Sequence, residues 1–232
     1  MKVAVFGLDD FPLGKHSLSD ERLDFLEGLF ESKKVTTLPI EFVSIQEIKD
    51  AEVVVSREDK KEDLVLSDLE YVQDRLAKET SAQDKELFSK AKDVLEKEEF
   101  LFKHFDKDNL KILRGFPLIT VLPIYLFKNE GEIDVDSALR DIYYLSGRII
   151  FFTAGEKESR MWTIRNGETA LDAAGCIHSD IQQGFIRAEI VSMEDLKKAG
   201  HYNQAKNDGK VRLEGKEYII KDGDIILFRF NK

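Results

Sequence analysis

"RIIFFTAGEKESRMWTIRNGETALDAAGCI", residues 148–177, carries the most decisive pattern in the chain. Two apolar, β-rich runs flank a polar turn at Gly155-Glu156-Lys157, and Asn166-Gly167 then turns the chain into a helix over "ETALDAAGCI". After it come "FIRAEIV" (185–191), a short helix near "MEDLKKAG" (193–200), and a strand pair within "KVRLEGKEYIIKDGDIILFRF" (210–230). Short strands with glycine turns wrapped around one helix predict a separately folded β-grasp module over residues 147–232, of ordinary domain size.

Upstream of this module the pattern is α/β. "KVAVF" (2–6) is apolar after Lys2, as a strand buried on both faces of a parallel sheet should be. Ser19-Asp20 offers a cap to a helix in which Leu23, Leu26 and Phe30 recur, and "IEFVSI" (40–45) and "AEVVVS" (51–56) read as further strands. Val65, Leu69, Val72 and Leu76 then form one helical stripe. After "KETSAQDKE", Leu87, Ala91, Val94, Leu101 and Phe105 form a second, so an antiparallel hairpin is expected over residues 65–114. "FPLITVLPIYLFKNEGE" (116–132) returns to a buried strand and "DVDSALRDIYYLSG" (134–147) closes with a helix. Residues 1–64 and 115–146 therefore make one α/β domain with the hairpin inserted.

Composition narrows the function classes. Of 232 residues, 42% are hydrophobic, enough for a real core, and 45 acidic against 35 basic side chains give a formal charge of -10. That charge argues against a diffuse grip on nucleic acid, so RNA contact needs a local basic face and DNA is not an expected partner. Cys176, the single cysteine, excludes an internal disulfide and sits in an apolar helix, where a buried structural thiol is expected. No signal peptide or membrane span is read, which makes the expected location cytoplasmic. The four histidines lack metal-ligand spacing and read as exposed or capping residues, and no metal site is expected.

Residues 147–231 closely resemble the C-terminal TGS domain of the YchF subfamily, the Obg-like P-loop ATPases and GTPases. "LVLSDLEYVQDRLAKE" (64–79) resembles the first helix of that subfamily's coiled-coil insertion, "DERLDFLEGLFESKKVTTLPIEFVSI" (20–45) the stretch leading into its G3 motif, and "PIYLFKNEGE" (123–132) its base-recognition strand. The resemblance implies a remnant of a P-loop, G-domain-like sheet, an inserted helical hairpin and a β-grasp TGS domain.

It also implies nucleotide motifs, and these are degraded. A phosphate loop reads G-x-x-x-x-G-K-[ST], whereas "VFGLDDFPLGKHSL" (5–18) separates Gly7 from Gly14 by six residues that include Asp9, Asp10 and Pro12, and places His16 after Lys15. Gly7, Gly14 and Lys15 are at best a phosphate-loop remnant. Ser44 and Glu47 stand where the family's Asp-x-x-Gly holds Mg²⁺. By contrast Asn129 and Glu132 keep the family's Asn-x-x-Glu, associated with ATP preference, and are candidate base-binding residues; the bland alternative, favoured in the absence of a phosphate loop, is a polar turn after a strand.

Two functions follow from this. One is a non-hydrolytic YchF-like adaptor without a cofactor, whose TGS domain binds RNA, the ribosome or a translation-associated protein through Lys157, Arg160, Arg165, Arg187 and Arg229. The other is a weak ATP- or GTP-binding protein or ATPase that uses Mg²⁺ and Asn129 with Glu132. No catalytic residue is assigned under the first, and Trp162 reads as core or as a stacking platform beside these cations.

Overall fold

A computed structural model of the chain describes residues 1–78, 81–129 and 133–231. Its first part runs through β1 (Lys2–Val5), β2 (Gly14–Leu18), α1 (Glu21–Phe30), β3 (Val35–Thr36), β4 (Leu38–Ser44) and β5 (Val53–Arg57). Helices α2 (Lys61–Lys78), α3 (Ala82–Leu95) and α4 (Lys107–Leu113), strand β6 (Ile124–Phe127) and helix α5 (Val135–Leu145) follow. The last part holds β7 (Arg148–Thr153), β8 (Ser159–Arg165), α6 (Ala170–Ile177), α7 (Ser179–Gln183), β9 (Phe185–Ser192), α8 (Met193–Ala199), α9 (Tyr202–Asn207), β10 (Arg212–Glu214) and β11 (Asp224–Phe230). These elements form two compact units: Met1–His16 with Ile40–Ser146, and Ser17–Pro39 with the chain from Gly147 onward.

The first unit is built on a sheet of order β2-β4-β1-β5-β6, in which β1 lies parallel to both β4 and β5, and β5 parallel to β6. Val3, Ala4, Val53, Val54 and Val55 are all fully buried, as the unbroken apolar runs require of strands covered on both faces. On one face Ala4 and Val54 share a core with Leu64, Val65, Val72, Phe88 and Ala91 of the α2–α3 hairpin.

The hairpin is shorter than its apolar stripe. α3 stops at Leu95, the chain turns through Glu98 in the left-handed region (φ 58), and Leu101 lies in a 3-10 turn at Leu101–Lys103, before α4. The last turn closes through Lys97 N–H to Val94 O and Glu98 N–H to Leu95 O, while Leu101 still reaches the core. The long buried strand expected over 116–127 is likewise only β6. Pro117 and Pro123 have no N–H for a ladder, and the N–H groups of Ile119 and Thr120 donate instead to the Asp68 carboxylate at 2.8 and 2.7 Å.

The second unit has the strand order β10-β9-β11-β7-β8-β3. β7 and β8 form an antiparallel hairpin, β11 lies parallel to β7, and β9 is antiparallel to both β11 and β10. Helix α6 begins at a capping box between Thr169 and Asp172, and its Ala170, Ala173 and Ala174 pack with Phe151, Ile164, Ala188 and Ile226.

Residues 17–39, read from sequence as part of the α/β domain, belong to this unit. β3 adds a parallel edge strand to β8, and Ser32 Oγ donates to Gly155 O at 2.8 Å. Successive strand residues point to opposite faces, so Ile150, Phe152 and Met161 face away from α6; all three are buried. Helix α1 packs toward β8 and supplies cover, with Leu23 and Leu26 buried and the Arg22 guanidinium 5.2 Å from the centre of the Phe152 ring. The physical reason is hydrophobic: a two-sided apolar sheet needs a second layer, and α1 is the amphipathic helix that serves it.

Candidate functional site

In open parallel sheets ligands gather beyond the carboxyl ends of the strands, where the chain switches direction. In the first unit that edge carries Gly7, Ser44, Arg57 and the residues after β6. Gly7 adopts φ +65, and a Cβ there would come within 3.3 Å of the Lys60 side chain. Beyond Gly7 the chain makes a turn closed by Phe11 N–H to Leu8 O at 3.3 Å. Phe11 folds back to lie 4.9 Å from the Phe42 ring centre and 6.0 Å from that of Phe127, and is 8% exposed.

The sequence after this turn is an edge strand, not a helix. Gly14 and Lys15 lie in β2, away from Gly7, with Lys15 exposed. A phosphate loop works because its N–H groups converge on the start of a helix. Gly7, Gly14 and Lys15 form no such loop, and Phe11 fills space over the sheet.

Asn129 is engaged by the chain itself. Its Oδ1 accepts the Asp59 N–H at 2.7 Å, and its backbone O accepts from Arg57 Nη1 at 2.9 Å. The amide oxygen therefore holds the turn before α2 in place. Glu132 lies outside the described residues. Ser44 donates to Gln46, and among the described residues no cluster of three or more His, Cys, Asp or Glu is suited to hold a metal ion. Among the described residues, this edge presents no row of N–H groups converging at a helix start.

The second unit sorts its cations by strand register. Arg187 on β9 and Arg229 on β11 are directly opposite, and residues opposite each other project from the same face. Arg229 donates to the carboxylate of Glu189, a residue 4% exposed that also accepts from Tyr202 Oη at 2.9 Å; among the described residues Arg187 donates to the neighbouring Ile186 O at 3.2 Å. Because β11 is parallel to β7 with Ile225 beside Phe152, Arg229 lies toward the end that holds the 154–158 turn and Lys157. Arg160, the second residue of β8, lies at that same end but projects from the face opposite to Arg187 and Arg229. Its guanidinium lies 4.0 Å over the Trp162 ring, and Trp162 Nε1 donates to Thr153 Oγ1 at 2.9 Å. The Thr36 hydroxyl and Lys34 hold the nearby Glu158 carboxyl below its usual range. Arg165 is opposite Arg148 at the far end of the β7–β8 ladder.

Four of the five expected cations thus share one end of the sheet, and Arg165 does not. Trp162, half-buried, packs against the core below Arg160, its ring nearly parallel to that of Phe151 with centres 6.4 Å apart. Cys176, expected buried, is exposed on α6. His178 and His201 are helix caps: their Nδ1 atoms accept the N–H groups of Asp180 and Asn203, both at 3.1 Å.

Sequence reasoning missed the buried carboxylates. Asp68 lies three residues after Val65 and four before Val72, on the apolar face of α2, and that misplaced charge was the available signal. Glu189 had none, because its partners Arg229 and Tyr202 come from separate elements.

Comparison with known proteins agrees with this architecture. Residues 149–231 match the family YchF-GTPase_C, described as a protein of unknown function (DUF933). The chain is 53% identical over 100 residues to the ribosome-binding ATPase YchF of Bacillus subtilis, covering 43% of this chain and 27% of that protein. It is 54% identical over 81 residues to human Obg-like ATPase 1, covering 35% of this chain and 20% of the other. The chain therefore spans between a fifth and little more than a quarter of the length of these relatives. In structure it resembles the Schizosaccharomyces pombe YchF GTPase with a TM-score of 0.77 and 18% identity, covering 99% of this chain and 97% of that one. The C-terminal sequence is thus that of the YchF-GTPase_C family, and the fold of the chain is similar to that of a YchF GTPase.

Proposed function

We propose that this chain is a non-hydrolytic YchF relative whose second unit, a β-grasp TGS module, docks on the RNA of a ribosome or of a ribosome-bound partner. The strand order β8-β7-β11-β9-β10, with α6 across one face, supports the β-grasp assignment. The name carried by the Bacillus subtilis relative supports the class of partner.

One observation carries the reading: Arg187 stands directly opposite Arg229. Like charges facing each other across a ladder destabilise a sheet. Glu189 offsets the charge of Arg229, and Arg187 has no carboxylate among its described contacts. A phosphate backbone supplies that missing counter-charge, and Lys157 lies in the turn at the same end of the sheet, whereas Arg160 projects from the opposite face.

Nucleotide has no comparable support, since the Asn129 amide oxygen is committed to Asp59 and no helix follows Gly7. The test is co-sedimentation with purified ribosomes over a salt series. Arg187→Ala should weaken association and reduce the salt slope by about one, as loss of one phosphate contact does. Unchanged association would remove the Arg pair from the interface. Calorimetry with ATP and GTP, with and without Mg²⁺, should show no binding at millimolar nucleotide, and micromolar binding would restore the ATPase reading.

A further inference from the structure

The first unit contains a second concavity that neither the sheet edge nor the cation cluster uses. Its volume is about 360 Å³, and its apolar wall is formed by Ile45, Ile48, Phe116, Leu118, Val121 and Leu122. The charged side chains at it are Lys49 and Arg114, both cationic. This lies within the size range of small-molecule sites, which pair an apolar body with a few placed polar groups.

Three features make it a preformed site. The floor is pinned from behind: Asp68, 1% exposed, accepts the N–H groups of Ile119 and Thr120 and the Thr120 hydroxyl at 2.6 Å, while Phe102 N–H donates to Thr120 O at 2.8 Å. Leu118, Val121 and Leu122 are therefore held at fixed positions below the opening. The cationic rim is also positioned. Arg114 Nη2 donates to Ala51 O at 2.7 Å, which orients its fork and leaves other N–H groups unused by that bond. Finally, the rim cations are unpaired: among the described residues neither Lys49 nor Arg114 has a carboxylate within 4 Å, and Glu47 and Asp50, on the same turn as Lys49, face Lys2 at 3.7 and 3.6 Å. In a chain of net charge -10, two unneutralised cations over an apolar trough form an electrostatic exception.

We infer that this cavity binds a small monoanion with an apolar tail, a monocarboxylate being the class that fits. The tail lies against the Ile45, Phe116 and Leu122 wall, displacing water from apolar surface. The carboxylate meets Lys49 and the Arg114 fork, which recognises planar anions of that shape. The site is independent of the RNA-docking reading, since it lies wholly within the other unit.

The test titrates decanoate, decan-1-ol and decyltrimethylammonium, each below its aggregation concentration, into the ¹⁵N-labelled full chain. Decanoate should shift the amides of residues 45–49 and 114–122 and bind at least about tenfold tighter than the alcohol, the value of one charge-assisted hydrogen bond. Decyltrimethylammonium should bind weakest. Lys49→Glu, a change at an exposed position, should erase the preference for the acid, and Arg114→Gln should reduce it. Equal affinity for acid and alcohol in the unmodified chain overturns the inference. So does a decanoate response centred elsewhere, for instance at the cavity lined by His178, Ile181 and Phe230.

Discussion

Replacing Arg22 with methionine tests why residues 17–39 fold with the C-terminal unit. The guanidinium donates to Asp20 through Nε (2.9 and 3.1 Å) and Nη2 (2.6 Å), and to Asp222 through Nη1 at 2.5 Å, while resting on Phe152. Burial opposes its charge, but the bonds to Asp20 and Asp222 more than reverse that, so its proton affinity is raised. Arg22→Met takes the guanidinium away from the Asp20 carboxylate, which is 1% exposed, while the backbone N–H of residue 22 stays bonded to it at 2.9 Å. Removing one member of a buried pair costs about 3–5 kcal/mol. Asp222 is 33% exposed, is screened by water, and keeps its bond from Ile150 N–H, so its share is small. We expect a loss of about 3 kcal/mol near neutral pH, toward the low end of that range.

The sign of the pH dependence follows from Asp20. Without Arg22 its folded-state pKa rises above the ordinary value of about 3.9, so the ionised form becomes the costly one. The variant therefore loses stability as pH rises from about 4, and the gap to the unmodified chain widens. Urea unfolding followed by Trp162, the single tryptophan and a resident of this unit, reads the effect directly. Asp20→Asn should recover part of the loss, since asparagine still caps α1 but carries no charge. A cost below about 1 kcal/mol, or a gap independent of pH, would show that Arg22 is not what clamps α1 to the sheet.

Two further outcomes concern the first unit. Phe11→Ala should destabilise it by about 3 kcal/mol, as truncation of a buried phenylalanine does, in unfolding followed by far-ultraviolet circular dichroism; a neutral result would mean that Phe11 does not fill the sheet face. Burial raises the Asp68 carboxyl against the opposing bonds from Ile119 and Thr120, so its stabilising contribution is complete below about pH 4 and declines as pH rises through its folded-state value. Asp68→Asn lacks that decline, so its penalty in urea unfolding should shrink as pH rises from about 4; a penalty that grows with pH would contradict the burial assignment.

Much of the secondary structure was legible because its causes are local. "KVAVF", "AEVVVS" and "RIIFF" are strands buried by their own apolar runs, and the Thr169–Asp172 box and the Asp20 cap start their helices where the sequence places them. The candidate site was legible only as a set of residue types. Nothing local shows that Arg187 faces Arg229, since the pairing depends on the register of strands about forty residues apart.

By itself the sequence determined which segments are apolar, where helices begin, and that the glycine and lysine after β1 lack phosphate-loop spacing. Tertiary structure alone decided where those segments go. The helix after Asp20 is amphipathic and would suit either sheet; it joins the second because Phe152 and Met161 need a cover and Asp222 completes the bonding of Arg22. Phe11 carries no mark of its role until Phe42 and Phe127 converge on it, and Asp68 is a misplaced charge until the loop at Ile119 arrives. Periodicity encodes what one element can bury, whereas the identity of the partner is a long-range property of the folded chain.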